Sequence, residues 1–182
     1  MSKNLFKAIE FAARAHTGQF RKGSHVPYII HPLAVAKILI EYECPEEVVI
    51  AAILHDTVED TKVTLKQIQK EFGTRVAQIV QGASEPRKSD PWEKRKLHTM
   101  EYLKMAPLEV LWVTCADKLD NLRSIYEDQK RIGEAIWQIF NRPKKAQKWY
   151  YENLLNIFKV RLTEEPGPSI VEEYEKEFKR VF

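Results

Sequence analysis

Apolar residues return every three to four positions through almost the whole chain, and no sustained apolar–polar alternation replaces that period. A helical period without a strand period constrains the fold to the all-α class. Leu5, Ile9, Ala12 and His16 mark one face of a first helix. GQFRKGSHVPYII, with two glycines and a proline, reads as an irregular loop. In HPLAVAKILIEYE, Pro32 fits the first helical position and His31 the cap before it. Pro45 opens one continuous helix, PEEVVIAAILHDTVED. Thr64 and Gln67 form a capping box for TLKQIQKEF, which Gly73 ends, and TRVAQIVQGASE follows. After the polar loop EPRKSDP comes a second box-like start, with Asp90 as cap and Glu93 three positions on. Pro107 opens PLEVLWVTCADKLDNLRSIY, and helices around AIWQIF and through KKAQKWYYENLLNIFKV complete the body. The expected architecture is one irregular helical bundle.

A chain of 182 residues, 44% of them hydrophobic, has enough material for one sizeable core. No apolar run has the length of a membrane span, and the charged N-terminus does not resemble a secretory signal. Cys44 and Cys115 have no metal-ligand spacing and read as buried free thiols, which points to a cytoplasmic protein. The net charge of +3 is too modest to call for a nucleic-acid partner.

The stretch LHDTVED interrupts this pattern, because it places His55, Asp56, Glu59 and Asp60 at the end of an apolar run. Buried charge is costly unless it is paired or bound to metal. On a helix, His55 shares a face with Glu59, and Asp56 with Asp60. A helix end emerging into solvent would explain the stretch alone. His31, after the irregular loop, and Asp117, embedded in another apolar helix with Asn121 one turn later, add to it. The four residues His31, His55, Asp56 and Asp117 form a mixed nitrogen and oxygen set, which suits Mn²⁺, Fe²⁺ or Zn²⁺ better than Mg²⁺. Periodicity does not explain how the sequential pair His55 and Asp56 would both reach one ion.

The order His31, His55-Asp56, Asp117 resembles the HD-domain metal phosphohydrolases. AHTGQFRKG, PYIIHPLAVA, LHDTVEDT and ADKLDNL narrow the likeness to the hydrolase domain of the RelA/SpoT homologues, in its small stand-alone form. The resemblance covers roughly residues 1–160, and we set a hydrolase domain at 1–162 and a linker with a terminal helix at 163–182. It implies one Mn²⁺ held by His31, His55, Asp56 and Asp117, with Glu59 and Asp60 positioning and activating the attacking water. It also implies hydrolysis of guanosine tetra- or pentaphosphate at the 3′ position, releasing pyrophosphate.

A divalent ion lowers the pKa of water and polarises a phosphoryl group, and Glu59 is then the natural proton acceptor. The ion and two ligand carboxylates sum to zero, so a polyanionic substrate needs further cations, for which Arg21 and Lys22 are placed. Asn121 is a candidate for the ribose or for a ligand, the alternative being a helix-packing amide. Lys144 and Trp149, with Tyr150 and Tyr151, suggest a stacking wall, although at least two of the three aromatics fit a core better. EKRKLH reads as a solvated helix face, and His16 as a satisfied core histidine. Rival readings are the same site acting on another nucleotide, such as an adenine alarmone or NADPH, and a silent nucleotide sensor. The implied partner is a small nucleotide, with no nucleic acid, no membrane and a possible homo-oligomer.

Overall fold

The computed structural model describes residues 2–85 and 89–182; Pro86, Arg87 and Lys88 of the polar loop lie outside the described residues. The helices are α1 (Lys3–Ala15), α2 (Ile30–Glu41), α3 (Glu46–Leu54), α4 (Thr57–Asp60), α5 (Leu65–Phe72) and α6 (Thr74–Ala83). They are followed by α7 (Trp92–Leu103), α8 (Leu108–Ile132), a 3₁₀ segment (Gly133–Gln138), α9 (Lys144–Arg161) and α10 (Gly167–Val181). Among the described residues the β contact recorded is one isolated bridge, Phe20 with Pro27, inside the irregular loop. The fold is all-α.

Local chemistry sets both ends of α5. Thr64 Oγ1 accepts from the Gln67 N–H, and the Gln67 side chain reaches back to the Thr64 backbone, a complete capping box. Gly73 ends α5 at φ 92°, a left-handed value that favours glycine. Gly23, at φ 73°, has a second reason to lack a side chain: a Cβ there would lie 2.6 Å from Ile139.

α3 is the centre of the bundle. Every residue from Val48 to Leu54 is buried, so its apolar character runs round the whole cylinder. α1, α2, α6 and α8 pack around it. α10 lies along α8 and α9 and buries Ile170, Val171, Tyr174, Phe178 and Val181 in the same apolar core.

Four boundaries differ from the sequence reading. α2 begins at Ile30, so His31 is not a cap; it lies in the first turn, and Pro32 follows in the turn where no N–H is needed. The continuous helix expected over 45–60 is broken at His55 and Asp56, between α3 and α4. Asp90 does not cap α7, whose start carries no side-chain cap bond; its carboxylate pairs with Lys94 at 3.3 Å instead. AIWQIF is largely a 3₁₀ turn, where α8 has already run on to Ile132.

Candidate metal centre and active site

The break between α3 and α4 resolves how sequential residues share a site. Thr57 Oγ1 donates to the Leu54 carbonyl at 2.6 Å, which takes up an acceptor freed at the helix end. His55 Nδ1 donates to the Ala52 carbonyl at 2.7 Å, which leaves Nε2 directed away from the backbone. Asp56, at φ −91° and ψ −7°, then swings its carboxylate to the same side, with Oδ2 3.1 Å from His55 Nε2.

α2 and α8 supply the rest. His31 Nε2 lies 3.2 Å from Asp117 Oδ1 and 3.7 Å from Asp56 Oδ2. The candidate ligand atoms of His31, His55 and Asp117 all fall within 4.8 Å of one another, and all three residues are buried. His31 Nδ1 donates to Asp120 Oδ2 at 2.6 Å, one turn along α8. Asn121 Nδ2 donates to Asp117 Oδ1 at 2.6 Å.

The donor set fits a divalent transition ion. Both rings have one nitrogen tied to an acceptor, so the other can present a lone pair. His55 Nε2 is buried and makes no hydrogen bond, although a carboxylate oxygen is 3.1 Å away. A buried polar atom without a bond is costly, and coordination would remove that cost.

The electrostatics point the same way. Burial disfavours charge on His31, but hydrogen bonds to Asp117 and Asp120 outweigh it and raise its pKa. For His55, burial is outweighed by the Asp56 charge, and the pKa rises to about 9. Burial would raise Asp56 and Asp117, yet His55 holds the first and Lys118 the second well below the usual carboxylate range. The pocket is arranged to hold positive charge between two ionised acids.

The acid pair of LHDTVED follows one turn on, in α4. The Glu85 N–H donates to Glu59 Oε2 at 3.0 Å. Tyr28 donates its phenol to Asp56 Oδ2 at 2.5 Å and stands 3.5 Å from Asp60 Oδ2. Gln19 Nε2 holds the Asp60 carbonyl at 2.8 Å, and the same Gln19 accepts from His16 Nδ1 at 2.7 Å. His16 is buried as a core residue, but only on one side is it satisfied, since its Nε2 has no partner.

A cavity of about 470 Å³ opens beside His31 and Asp120. Arg21, Lys22 and Asn121 stand on its polar side, and Ile136, Ile139, Phe140 and Tyr151 form an apolar one. Arg21 Nη2 is 3.3 Å from Asn121 Oδ1 and 3.8 Å from Asp120, while Lys22 Nζ reaches Asn141 at 3.2 Å.

Lys144 and Trp149 are not brought to this cavity. Lys144 pairs with Glu134 at 3.0 Å, and Trp149 is turned to the surface beside Trp92 on α7. Tyr150 and Tyr151, one and two steps further round α9, are buried, and the aromatic face toward the cavity is Tyr151. EKRKLH is only partly a solvated face: Arg95 and Lys96 fold inward onto Glu85, whose side chain is largely buried.

Tyr28, Asp120 and Lys118 are the contributors that residue patterns do not single out. Asp120 has a signal, since three positions on from Asp117 is the same helix face. Tyr28, in an irregular loop, has none.

Residues 8–143 match the family model described as HD domain. The chain is 39% identical over 169 residues to guanosine-3′,5′-bis(diphosphate) 3′-pyrophosphohydrolase MESH1 of Homo sapiens, covering 86% of this chain and 94% of the relative. It is 36% identical over 146 residues to the protein named guanosine-3′,5′-bis(diphosphate) 3′-pyrophosphohydrolase in Aquifex aeolicus, covering 76% of this chain and 21% of that protein. The chain thus spans only about a fifth of the length of such bacterial relatives. Among solved structures it matches one described as a metazoan ortholog of SpoT that hydrolyzes ppGpp and plays a role in starvation responses. The TM-score is 0.77 at 25% identity, covering 100% of this chain and 98% of that one. No helix among the described residues is long and apolar enough to cross a membrane.

Proposed function

The chain belongs to the HD-domain family, and from that membership we propose that it hydrolyses guanosine 3′-diphosphate 5′-di- or triphosphate to GDP or GTP and pyrophosphate. The observation that supports this reading is the buried cluster of His31, His55 and Asp117, with Asp56 Oδ2 3.1 Å from His55 Nε2 and Glu59, one helical turn on from His55, accepting from the Glu85 N–H. A pure binding module has no need of a proton acceptor beside such a centre.

In this reading His31, His55, Asp56 and Asp117 hold one Mn²⁺ per chain; the nitrogen and oxygen donor set supports Mn²⁺, with Zn²⁺ and Fe²⁺ as the competing ions. The ion supplies Lewis acidity at the phosphoryl group and lowers the pKa of a water molecule. Glu59 takes the proton of the attacking water, and Asp60, braced by Tyr28 and Gln19, orients that water. Arg21 and Lys22 offset substrate charge in the cavity beside His31, and Asn121 steadies Asp117. The apolar side with Tyr151 suits a base and ribose. We assign catalysis to residues 1–162 and treat 163–182 as a brace on α8 and α9. The protein is taken to act in the cytoplasm on a small nucleotide, without a nucleic-acid partner, alone or as a homo-oligomer.

The test is product analysis with a nucleotide panel in Mn²⁺. GDP and pyrophosphate from guanosine tetraphosphate are expected. Orthophosphate appearing first, or turnover confined to an adenine alarmone or NADPH, would reject this substrate and leave the metal centre standing.

A further inference from the structure

One face of α8 runs from the metal-ligand cluster along the cavity beside His31. Asp117, Asp120, Asn121, Ser124, Ile125 and Asp128 follow one another at alternating steps of three and one, the spacing of a single helical stripe. Asp117 belongs to the cluster, and the others line the cavity. At 1.5 Å per residue, Asp128 stands about 16 Å along the helix axis from Asp117. A metal-bound phosphate, a ribose and a base together span that length.

The surroundings of Asp128 suit the base. Ser24 and Val26, in the loop before α2, line the cavity and also share a surface hollow with Asp128. Ile139 and Phe140, beyond the 3₁₀ segment, add apolar surface to the same cavity. Loop and segment meet closely: Lys22 Nζ donates to Asn141 Oδ1 at 3.2 Å, and a Cβ on Gly23 would lie 2.6 Å from Ile139.

Asp128 brings a carboxylate to this apolar setting. Its side chain is 25% exposed, against 66% for Glu127 beside it. Arg131, one turn on, donates to Asp128 Oδ1 at 2.9 Å and steadies it. An ionised carboxylate only accepts, so it is the wrong partner for a phosphate and the right one for an edge that presents donors. Guanine presents two such donors side by side, the ring N1–H and the 2-amino group. Hypoxanthine keeps only the first, and adenine has an acceptor at N1.

We propose that Asp128 selects the base: its carboxylate accepts from the N1–H and the 2-amino group of guanine. This rests on the reading of the chain as a hydrolase of guanosine 3′-pyrophosphates. Discrimination then comes from the end of the α8 stripe remote from the metal, and the ligand cluster takes no part in it.

The test compares kcat/KM for the 3′,5′-bis(diphosphates) of guanosine, inosine and adenosine. Wild type should favour guanosine over inosine about tenfold or more, the worth of one hydrogen bond to a charged acceptor. Over adenosine the preference should be about 100-fold or more, because the carboxylate is left facing an acceptor. Asp128→Ala should bring guanosine and inosine to parity, whereas a merely structural loss would lower all three and keep their ratios. Asp128→Asn, whose amide both donates and accepts, should raise kcat/KM for the adenosine compound above wild type, a gain that misfolding does not produce. Wild-type ratios in both variants would overturn the assignment. Calorimetric titration of GDP into the metal-loaded protein separates base recognition from the reaction. GDP binding weakened about tenfold in Asp128→Ala, without turnover of any of the three compounds, would keep the base site and reject the hydrolysis. Turnover with ratios indifferent to Asp128 would do the reverse.

Discussion

His31 Nδ1 and Asp120 Oδ2 stand 2.6 Å apart, and that bond turns the other ring nitrogen toward Asp117, 3.2 Å away. A histidine that donates from one nitrogen to a carboxylate has a fixed ring and a more basic free nitrogen. Asp120 therefore acts on an ion it does not touch. Asp120→Asn should lower metal affinity by about 10–100-fold, the usual cost of losing such a support. Metal titration followed by calorimetry measures this, and an unchanged affinity would reduce Asp120 to a surface acid.

Glu59→Gln keeps the side chain's shape and its acceptor for the Glu85 N–H but cannot take up a proton. Metal content should stay near wild type, while kcat falls by roughly 10²-fold or more. Wild-type turnover in this variant would remove Glu59 from the chemistry.

Asp117→Ala tests the ligand set directly. Asp117 contacts His31, Asn121 and Lys118, so its loss leaves Lys118 as a buried charge without its partner. Bound metal should be lost as completely as in His55→Ala, and Tm should fall as well. Full metal retention in Asp117→Ala would exclude it as a ligand.

How this cluster could be read from sequence, and where the reading stops, follows from two elements. LHDTVED stands out because buried charge needs a reason, and that argument requires no structure. The turn at His55 and Asp56 is invisible to periodicity, because His55 keeps helical dihedrals of −56° and −38° and the interruption is short. A helix without the break splays the two side chains apart; the turn brings them together. Two of the three aromatics of α9, Tyr150 and Tyr151, are core as expected, but which of the three faces the cavity is not legible: at 100° per residue Trp149 and Tyr151 point to different sides of α9, and composition does not say which side is wet. Asp90 followed by Pro91 looks like a cap, but ion pairing with Lys94 takes the carboxylate instead.

Metal-free protein should show an inverse pH dependence of stability. Burial works against charge on His55, but Asp56 outweighs it, and the folded pKa rises to about 9 from 6.5. A raised folded pKa gives stability that is complete below the unfolded value and is lost as pH passes the folded one. Tm of the chelated protein should therefore fall between about pH 6.5 and 9. Bound metal replaces those protons and requires the deprotonated rings, so the Tm gain on loading should grow over the same window. Scanning calorimetry of both forms measures it. A chelated Tm that rises with pH would mean that the acid cluster does not hold His55 protonated.

Arg21 and Lys22 adjoin in sequence but are tied into the site differently, so their substitutions should separate. Among the described residues Lys22 hydrogen-bonds the Asn141 amide oxygen, and it lines the cavity beside His31. Lys22→Met should raise KM for the tetraphosphate about tenfold, the cost of one charge-assisted contact, with kcat and metal content unchanged. Arg21 also contacts Asn121 and Asp120, and these in turn hold Asp117 and His31. Arg21→Met should therefore raise KM and lower kcat together, because it loosens both supports of the ligand set as well as removing a charge. Steady-state kinetics beside metal analysis distinguishes the two. Equal effects confined to KM would make both residues simple counter-charges, and would show that Asn121 and Asp120 hold the metal ligands in place without Arg21.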